Sequence, residues 1–237
     1  TTLGINIYDN FDQFNNPSYS NLPHVRSDIQ EYLSEGRTNI ARMKLDYIWS
    51  PLKDVYARLD LGLIEEMYGG AGGEILYRPY KSKYALGLVA HRVKKRGYKQ
   101  RFSFRDYTVN TGYFQMYYDW PGEVTSQVLL GKYLAGDKGF TIDLSKRFQT
   151  GFRLGIFATK TNISAEMFGE GSFDKGFYFE FPTDIFLSTY QPGSISMGLH
   201  PLTKDGGAPL LNHNALIGLV SGSGYYGIER DWEDILD

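Results

Sequence analysis

The feature that most limits the fold of this chain is a regular alternation of apolar and polar residues in its early segments. Every second residue of 41–49 and of 55–63 is apolar. Successive side chains of a β-strand point to opposite sides, so each segment has one apolar face and one polar face. Charges are costly in a dry core but not in a wet lumen, so the pattern predicts a transmembrane β-barrel, apolar outside and polar inside. The inward residues are Arg42, Lys44, Asp46, Tyr56, Arg58 and Asp60.

Similar segments follow along most of the chain and predict an all-β, antiparallel, up-and-down transmembrane barrel of about 12 strands. Short links such as 136–139 and 149–151 are typical of hairpins. Aromatic residues fall on both faces of 108–118, which suggests contact with an internal plug or a neighbouring domain. The predicted strands are 3–8, 39–50, 54–65, 74–80, 83–94, 107–119, 124–134, 139–148, 151–161, 176–182, 184–190, 194–199 and 214–220.

One long connection interrupts this pattern, over residues 10–37. It is polar and contains a helix-like stretch from Arg26 to Leu33. Its length predicts a plug or cap rather than a structureless loop. We interpret residues 1–237 as a single barrel domain. The chain opens directly into a strand-like segment, so we expect it to be a mature form or a piece of a longer, exported protein.

Composition agrees with a barrel but does not require one. The 237 residues are 16% aromatic, with 19 Tyr, and the mean hydropathy is −0.36. No stretch approaches the roughly 18 apolar residues that a transmembrane helix needs. Tyrosines suit the interfacial girdles of a barrel but are also common in β-sandwiches. The net charge is −2 without a basic block, so nucleic acid is not an expected partner, and the absence of Cys excludes disulfides.

Several stretches resemble phosphate-binding, metal-binding or catalytic motifs only in part. The glycine-rich segment 67–74 lacks the Lys-Ser/Thr of a phosphate-binding loop, so it predicts a tight turn. The four histidines lack metal-ligand spacing. Residues 221–224 are interpreted as a flexible turn and not as the nucleophile elbow of a hydrolase. No cofactor is expected.

Sugar binding is the chemistry that the remaining residues favour. In 168–176, Glu170 and Asp174 fit a structural turn, a ligand contact or, as a further alternative, the carboxylate pair of a glycosidase. On the inward faces, Tyr56, Tyr113 and Tyr117 accompany arginines and aspartates. Aromatic rings stack on sugar C–H faces, and the charged groups bond to hydroxyls. An equally open interpretation is that these are girdle tyrosines and solvated lumen charges.

Five motifs stand out in the sequence: residues 22–28 (LPHVRSD), 69–79 (GGAGGEILYRP), 104–107 (FRDY), 131–137 (GKYLAGD) and 168–176 (FGEGSFDKG). Together they resemble the YjbH/GfcD family of exopolysaccharide and capsule outer-membrane proteins, over about residues 20–207. One departure is Lys204, where the family has arginine in its Arg-Asp-Gly-Gly motif. Family members are longer, so the chain is similar to their later portion.

The resemblance implies an outer-membrane barrel of a Gram-negative bacterium, in a lipoprotein family, that acts in secretion or assembly of an extracellular polysaccharide. It implies no cofactor and no enzymatic activity. Expected partners are the polysaccharide, outer-membrane lipid and periplasmic capsule or exopolysaccharide export proteins. Within the motifs, we expect Arg26, Asp28, Arg105 and Asp106 to contact sugar or partner proteins, together with Glu170 and Asp174.

Three functions therefore remain open at this stage. The first is a non-enzymatic barrel that helps a polysaccharide cross, or emerge at, the outer membrane. The second is a plugged structural scaffold that docks periplasmic export proteins. The third is a soluble sugar-binding or sugar-cleaving β-sandwich.

Overall fold

The computed structural model describes residues 1–9, 21–164, 173–183, 194–199 and 205–223. Within these ranges, eleven strands form one sheet, and two short helices lie outside it. None of the helices in these ranges is long and apolar enough to span a membrane. The elements are β1 Thr2–Ile5, α1 Ile29–Glu35, β2 Thr38–Leu52, β3 Val55–Leu63, β4 Tyr68–Tyr77, β5 Tyr84–Arg96, β6 Phe104–Trp120, β7 Val124–Lys132, β8 Lys138–Arg147, β9 Arg153–Thr161, β10 Asp174–Pro182, β11 Ser194–Leu199 and α2 Leu216–Ser223.

The strands lie in the sheet in chain order, and each is antiparallel to the next. This confirms the all-β, up-and-down antiparallel prediction. It is also a single sheet, so the described strands lack the two packed layers that a β-sandwich requires. Strands β1 and β11 are its two edges, and no pairing between them occurs among the described residues.

Three details of the sequence prediction are wrong. Residues 214–220 are not a strand, because α2 occupies 216–220. The glycine-rich segment 67–74 is not a turn, because residues 68–74 belong to β4, and Ser221 lies in α2 rather than in a flexible turn. The strand predicted at 184–190 lies outside the described residues, and eleven strands are observed within them instead of about 12.

Close packing explains the glycines of β4. A Cβ on Gly72 would lie 2.2 Å from Cδ2 of His91 and 2.4 Å from the carbonyl oxygen of Ala90. The imidazole of His91 therefore lies directly over the backbone of Gly72, in space that any other residue would fill. Glycine is required here for close approach and not for a positive φ.

The two faces of the sheet are reversed relative to a water-soluble protein. Leu45 pairs with Leu61 and Tyr47 with Leu59, as the alternation predicts. Leu59 and Leu61 are 56% and 57% exposed, whereas Asp60, which lies between them on β3, is 3% exposed. We call the exposed apolar face the outer face and the buried polar face the inner face. Other large apolar side chains of the outer face are Ile75, Leu88, Phe114, Met116, Phe140, Ile142, Leu144, Ile156, Met197 and Leu199.

The sheet curves around its inner face, because side chains from strands as far apart as β6 and β10 line one cavity. Its two ends differ in their connections. At one end, here called the turn side, the strands are joined by residues 53–54, 78–83, 121–123, 148–152 and 183–193. At the other, the loop side, the connections include 6–37 and 162–173.

Candidate functional site

Residues 205–223, which we call the interior strap, run along the inner face from the loop side to the turn side. Asp205, 2% exposed, anchors the loop-side end. One oxygen of its carboxylate accepts the backbone N–H groups of residues 25–27 at 2.9–3.0 Å. The other oxygen accepts the hydroxyl of Ser27 at 2.7 Å. Four donors thus compensate the burial of this charge.

A second anchor lies further along the strap, at Pro209 and Leu211. The guanidinium of Arg26 forms a bidentate pair with the carboxylate of Glu65, at 2.6 and 3.0 Å, and donates to the carbonyl of Pro209 at 2.9 Å. Glu65 also accepts the N–H of Leu211 at 2.9 Å. Burial alone would lower the pKa of Arg26, but the Glu65 carboxylate outweighs it and the pKa is raised. Arg26 is therefore a fixed cation that holds the strap.

Asn212 is the centre of a buried charge network in the middle of the inner face. Its Oδ1 accepts from Nζ of Lys44 at 2.9 Å and from Nη1 of Arg58 at 3.1 Å, and its Nδ2 donates to Asp60 at 3.3 Å. Ion pairs surround it: Lys44 lies 2.9 Å from Asp46, and Arg58 lies 3.3 Å from Asp60 and 3.0 Å from Glu74. His91 lies 3.0 Å from Asp60. Asn214 donates to Asp46 at 2.8 Å, and its carbonyl accepts from Arg58.

Helix α2 ends the strap on the turn side. Its first N–H, on Leu216, donates to Glu74 at 3.1 Å. Leu216 is fully buried against Leu76 and Tyr117 of the sheet. Near the end of the helix, the hydroxyl of Ser221 accepts from Arg78 at 2.7 Å. The inner faces of β3 to β6 are therefore covered by the chain itself.

A cavity of about 370 Å³, the loop-side cavity, remains at one end. Lys95 forms its buried cation and contacts Asp28 and the carbonyl of His24. The other oxygen of Asp28 has no hydrogen-bond partner among the described residues. Arg105 stacks over the ring of Tyr98, with 4.2 Å between the guanidinium carbon and the ring centroid. Cations, a carboxylate and aromatic rings are thus gathered at the loop side.

A larger cavity of about 810 Å³, the turn-side cavity, lies at the opposite end. Residues of α2 line one wall, and inner-face residues of β8 to β10 line the other. Its charged lining residues are Arg78, Lys83, Arg147, Arg153, Asp119, Glu123, Asp143 and Glu180.

The structure divides the predicted site residues among separate places. Asp28 and Arg105 line the loop-side cavity together. Asp106 follows Arg105 and is exposed on the other face of β6. Asp174 is buried at the start of β10, and Glu170 lies outside the described residues.

The predicted inward residues mostly hold the strap. Lys44, Asp46, Arg58 and Asp60 belong to the Asn212 network. Arg42 lies near the β1 edge, 3.3 Å from the hydroxyl of Thr2. The tyrosines Tyr56, Tyr113 and Tyr117 pack near the strap, where Tyr56 and Tyr117 contact the α2 cluster and Tyr113 accepts the N–H of Leu210.

Sequence reasoning missed the groups that complete this network. Glu74 and His91 stand at inward positions of their strands, so the alternation rule extended to β4 and β5 would have found them. Asp205 lies in a recognised motif, but nothing in its spacing indicates partners near residue 26. Asn212 carries no sequence signal at all. Of the segment 10–37, residues 10–20 lie outside the described residues, so its plug-like role stays a prediction, while the strap lies along the inner face.

The fold and its interior together define a class: an all-β protein with one meandering antiparallel sheet, apolar on its outer face and polar within. Residues 1–221 match the YjbH family, described as "Exopolysaccharide biosynthesis protein YbjH". The chain therefore belongs to the YjbH exopolysaccharide biosynthesis family.

A curated relative supports this assignment. The chain is 40% identical over 210 residues to an uncharacterized lipoprotein, YjbH, of Escherichia coli (strain K12). The match covers 86% of this chain but 30% of the relative, so the chain corresponds to less than a third of that protein. No solved structure matches the chain.

Proposed function

We propose that this chain forms an outer-membrane β-barrel that takes part, without catalysing a reaction, in the secretion or assembly of an exopolysaccharide. The observation that carries the proposal is the reversed distribution of side chains. Leu59 and Leu61 are exposed on the outer face, while Arg58 and Asp60 are 1% and 3% exposed inside. Lipid is the solvent that favours this arrangement.

Membrane insertion would also give the sheet a reason to close into a barrel. The backbone groups along the free edges of β1 and β11 would be unsatisfied in hydrocarbon, at a cost of several kcal/mol each. A barrel removes both edges. The family description supports the link to exopolysaccharide, and the lipoprotein nature of the bacterial relative supports a place in the cell envelope.

The test is fractionation of cells that express the full-length protein, combined with migration on a cold detergent gel. We expect recovery in the outer membrane, a mobility shift on heating, and reduced exopolysaccharide outside cells that lack the protein. A protein found in the soluble fraction, with no heat-dependent shift, would contradict the membrane proposal. Normal polymer in the deletion strain would contradict the role in secretion or assembly.

The interior strap favours a second candidate, a plugged scaffold that docks periplasmic export proteins. The strap is held by Asp205, the Arg26–Glu65 pair and the Asn212 network, so it occupies space that a polymer path through the inner faces of β3 to β6 would need. Conductance in planar bilayers separates the two candidates. Near-zero conductance supports the scaffold, and large stable steps support an open path.

A further inference from the structure

The inner face of β8 to β10 is not covered by the strap at the turn side. There, Asp143, Ser145 and Arg153 line the turn-side cavity, opposite Ile217 and Ser221 of α2. At about 810 Å³, the cavity lies within the range of roughly 300–1,000 Å³ typical of ligand sites.

Tyr178 forms a flat aromatic surface within this cavity. It pairs directly with Gly155 on β9. A Cβ on Gly155 would lie 2.1 Å from Cζ of Tyr178 and 2.4 Å from its Cε1. The ring therefore lies over the glycine backbone, in the place of a side chain. One face of the ring covers the sheet, and the opposite face is turned toward the interior.

Polar groups surround the ring in fixed positions. The hydroxyl of Tyr178 donates to Oδ1 of Asp143 at 3.0 Å. Arg153 donates to the hydroxyl of Ser145 at 3.1 and 2.8 Å and lies 3.8 Å from a carboxylate oxygen of Glu180. These contacts restrict the rotamers of Asp143 and Arg153. The acceptor and donor groups beside the ring are therefore already in place before a ligand binds.

We infer that Tyr178, Asp143 and Arg153 form a sugar-binding subsite, in which a pyranose ring stacks on Tyr178 and its hydroxyls bond to the two charged groups. The inference rests on the proposed function, because it assigns a place to the polysaccharide. An exposed aromatic face and flanking donors and acceptors suit the C–H face and hydroxyls of a sugar.

The balance of charge in the cavity lining indicates which class of sugar the subsite would bind. Its lining holds four basic and four acidic side chains, so it has no net attraction for a polyanion. Hydroxyl-rich, uncharged sugar units therefore suit it better than a densely acidic segment. We expect binding to depend only weakly on salt concentration.

The experiment uses the full-length protein in detergent micelles. The probe is a size-fractionated set of oligosaccharides, released by mild acid from the exopolysaccharide of the producing strain, and binding is measured by calorimetry. Tyr178→Ala should weaken binding by about tenfold or more, because it removes the stacking face. Tyr178→Phe, which keeps the ring, should weaken it less. Phe181→Ala is the control, since Phe181 lies on the same strand but belongs to the outer-face aromatic cluster.

Equal affinity of wild type and Tyr178→Ala would overturn the subsite, and so would absence of binding by the wild-type protein. The heat-modifiable gel shift of each variant confirms that it is folded. The two proposals fail separately. A protein that reaches the outer membrane but does not bind loses only the subsite, while a soluble protein whose binding depends on Tyr178 loses only the membrane proposal.

Discussion

At the scale of single residues, Asp205 shows how a buried charge fixes the strap. Its carboxylate accepts three backbone N–H groups and one hydroxyl. Hydrogen bonds to a charged acceptor stabilise by about 1.5–3 kcal/mol each, and a buried donor left without a partner costs about 1–3 kcal/mol. The energetic importance of this residue therefore lies in the donors that it satisfies.

Replacing this carboxylate should destabilise the protein strongly. For Asp205→Ala we expect a loss of at least about 3 kcal/mol in the free energy of unfolding, because several buried donors lose their acceptor. Urea unfolding of the full-length protein in micelles measures it. Asp106→Ala, at an exposed position, is the matched control and should change stability by less than about 0.5 kcal/mol. A similar effect of both changes would show that the Asp205 contacts contribute little.

Asp137, in the turn between β7 and β8, predicts a dependence of stability on pH. It accepts the N–H of Gly207 at 2.8 Å, but burial raises the pKa of its carboxyl. A carboxyl with a raised folded pKa stabilises the fold below its unfolded pKa, about 4, and this contribution is lost as pH rises through the folded value. Asp137→Asn should therefore flatten the fall in stability above pH 4. An unchanged pH profile for this variant would refute the assignment.

At the scale of elements, the alternation of residues predicted most strands of the sheet, because the period of two is a local property of the chain. It did not predict β4 correctly, since the reason for Gly72 is the ring of His91 on the neighbouring strand. It also missed α2, which packs against Leu76 and Tyr117, two residues far from the helix in the sequence. Contacts between distant segments leave no periodic signal in either case.

The packing of β4 on β5 can be tested by adding a side chain on one face at a time. Gly72→Val should destabilise the protein by about 1–3 kcal/mol, because its Cβ would clash with His91 and with the carbonyl of Ala90. Ala71→Val places the same side chain on the adjacent, exposed position and should be nearly neutral. Urea unfolding compares the two. Equal losses would mean that the clash relaxes without cost.

At the scale of the whole molecule, the exposed apolar face supports the proposed membrane location, and the different lengths of the connections at the two ends of the sheet indicate an orientation. Outer-membrane barrels have short periplasmic turns and longer extracellular loops. In the proposed barrel, we therefore expect the turn side, with connections such as 53–54 and 121–123, to face the periplasm and the loop side to face the cell exterior. That orientation would place the turn-side cavity where a polymer would arrive from the periplasm.

Cysteine labelling tests this orientation, because the chain contains no cysteine of its own. Lys99→Cys, on the loop side, should react with a membrane-impermeant maleimide in intact cells. Lys53→Cys, on the turn side, should react only after the outer membrane is opened. The reverse pattern would invert the orientation. Full-length protein without these changes serves as the background control.

An outer-face substitution tests the solvent itself. Leu59→Arg lies at the middle of β3 and should cost about 2–4 kcal/mol in a bilayer, whereas Leu52→Arg, near the turn, should cost about 0–1 kcal/mol. Both leucines are already exposed, at 56% and 70%. The amount of folded protein in the outer membrane reports the difference. Equal tolerance of the two arginines would indicate that water, not lipid, contacts this face.

The anchor of the strap has a consequence for the order of assembly. Asp205 bonds to backbone groups 178–180 residues earlier in the chain. Contacts of such long sequence separation form late and slowly, because a large loop must close first. A barrel that sealed before this contact formed would leave the strap outside its own lumen. In the proposed barrel, we therefore expect the sheet to stay open until the strap has docked, so that completion of the interior would be the step that permits closure.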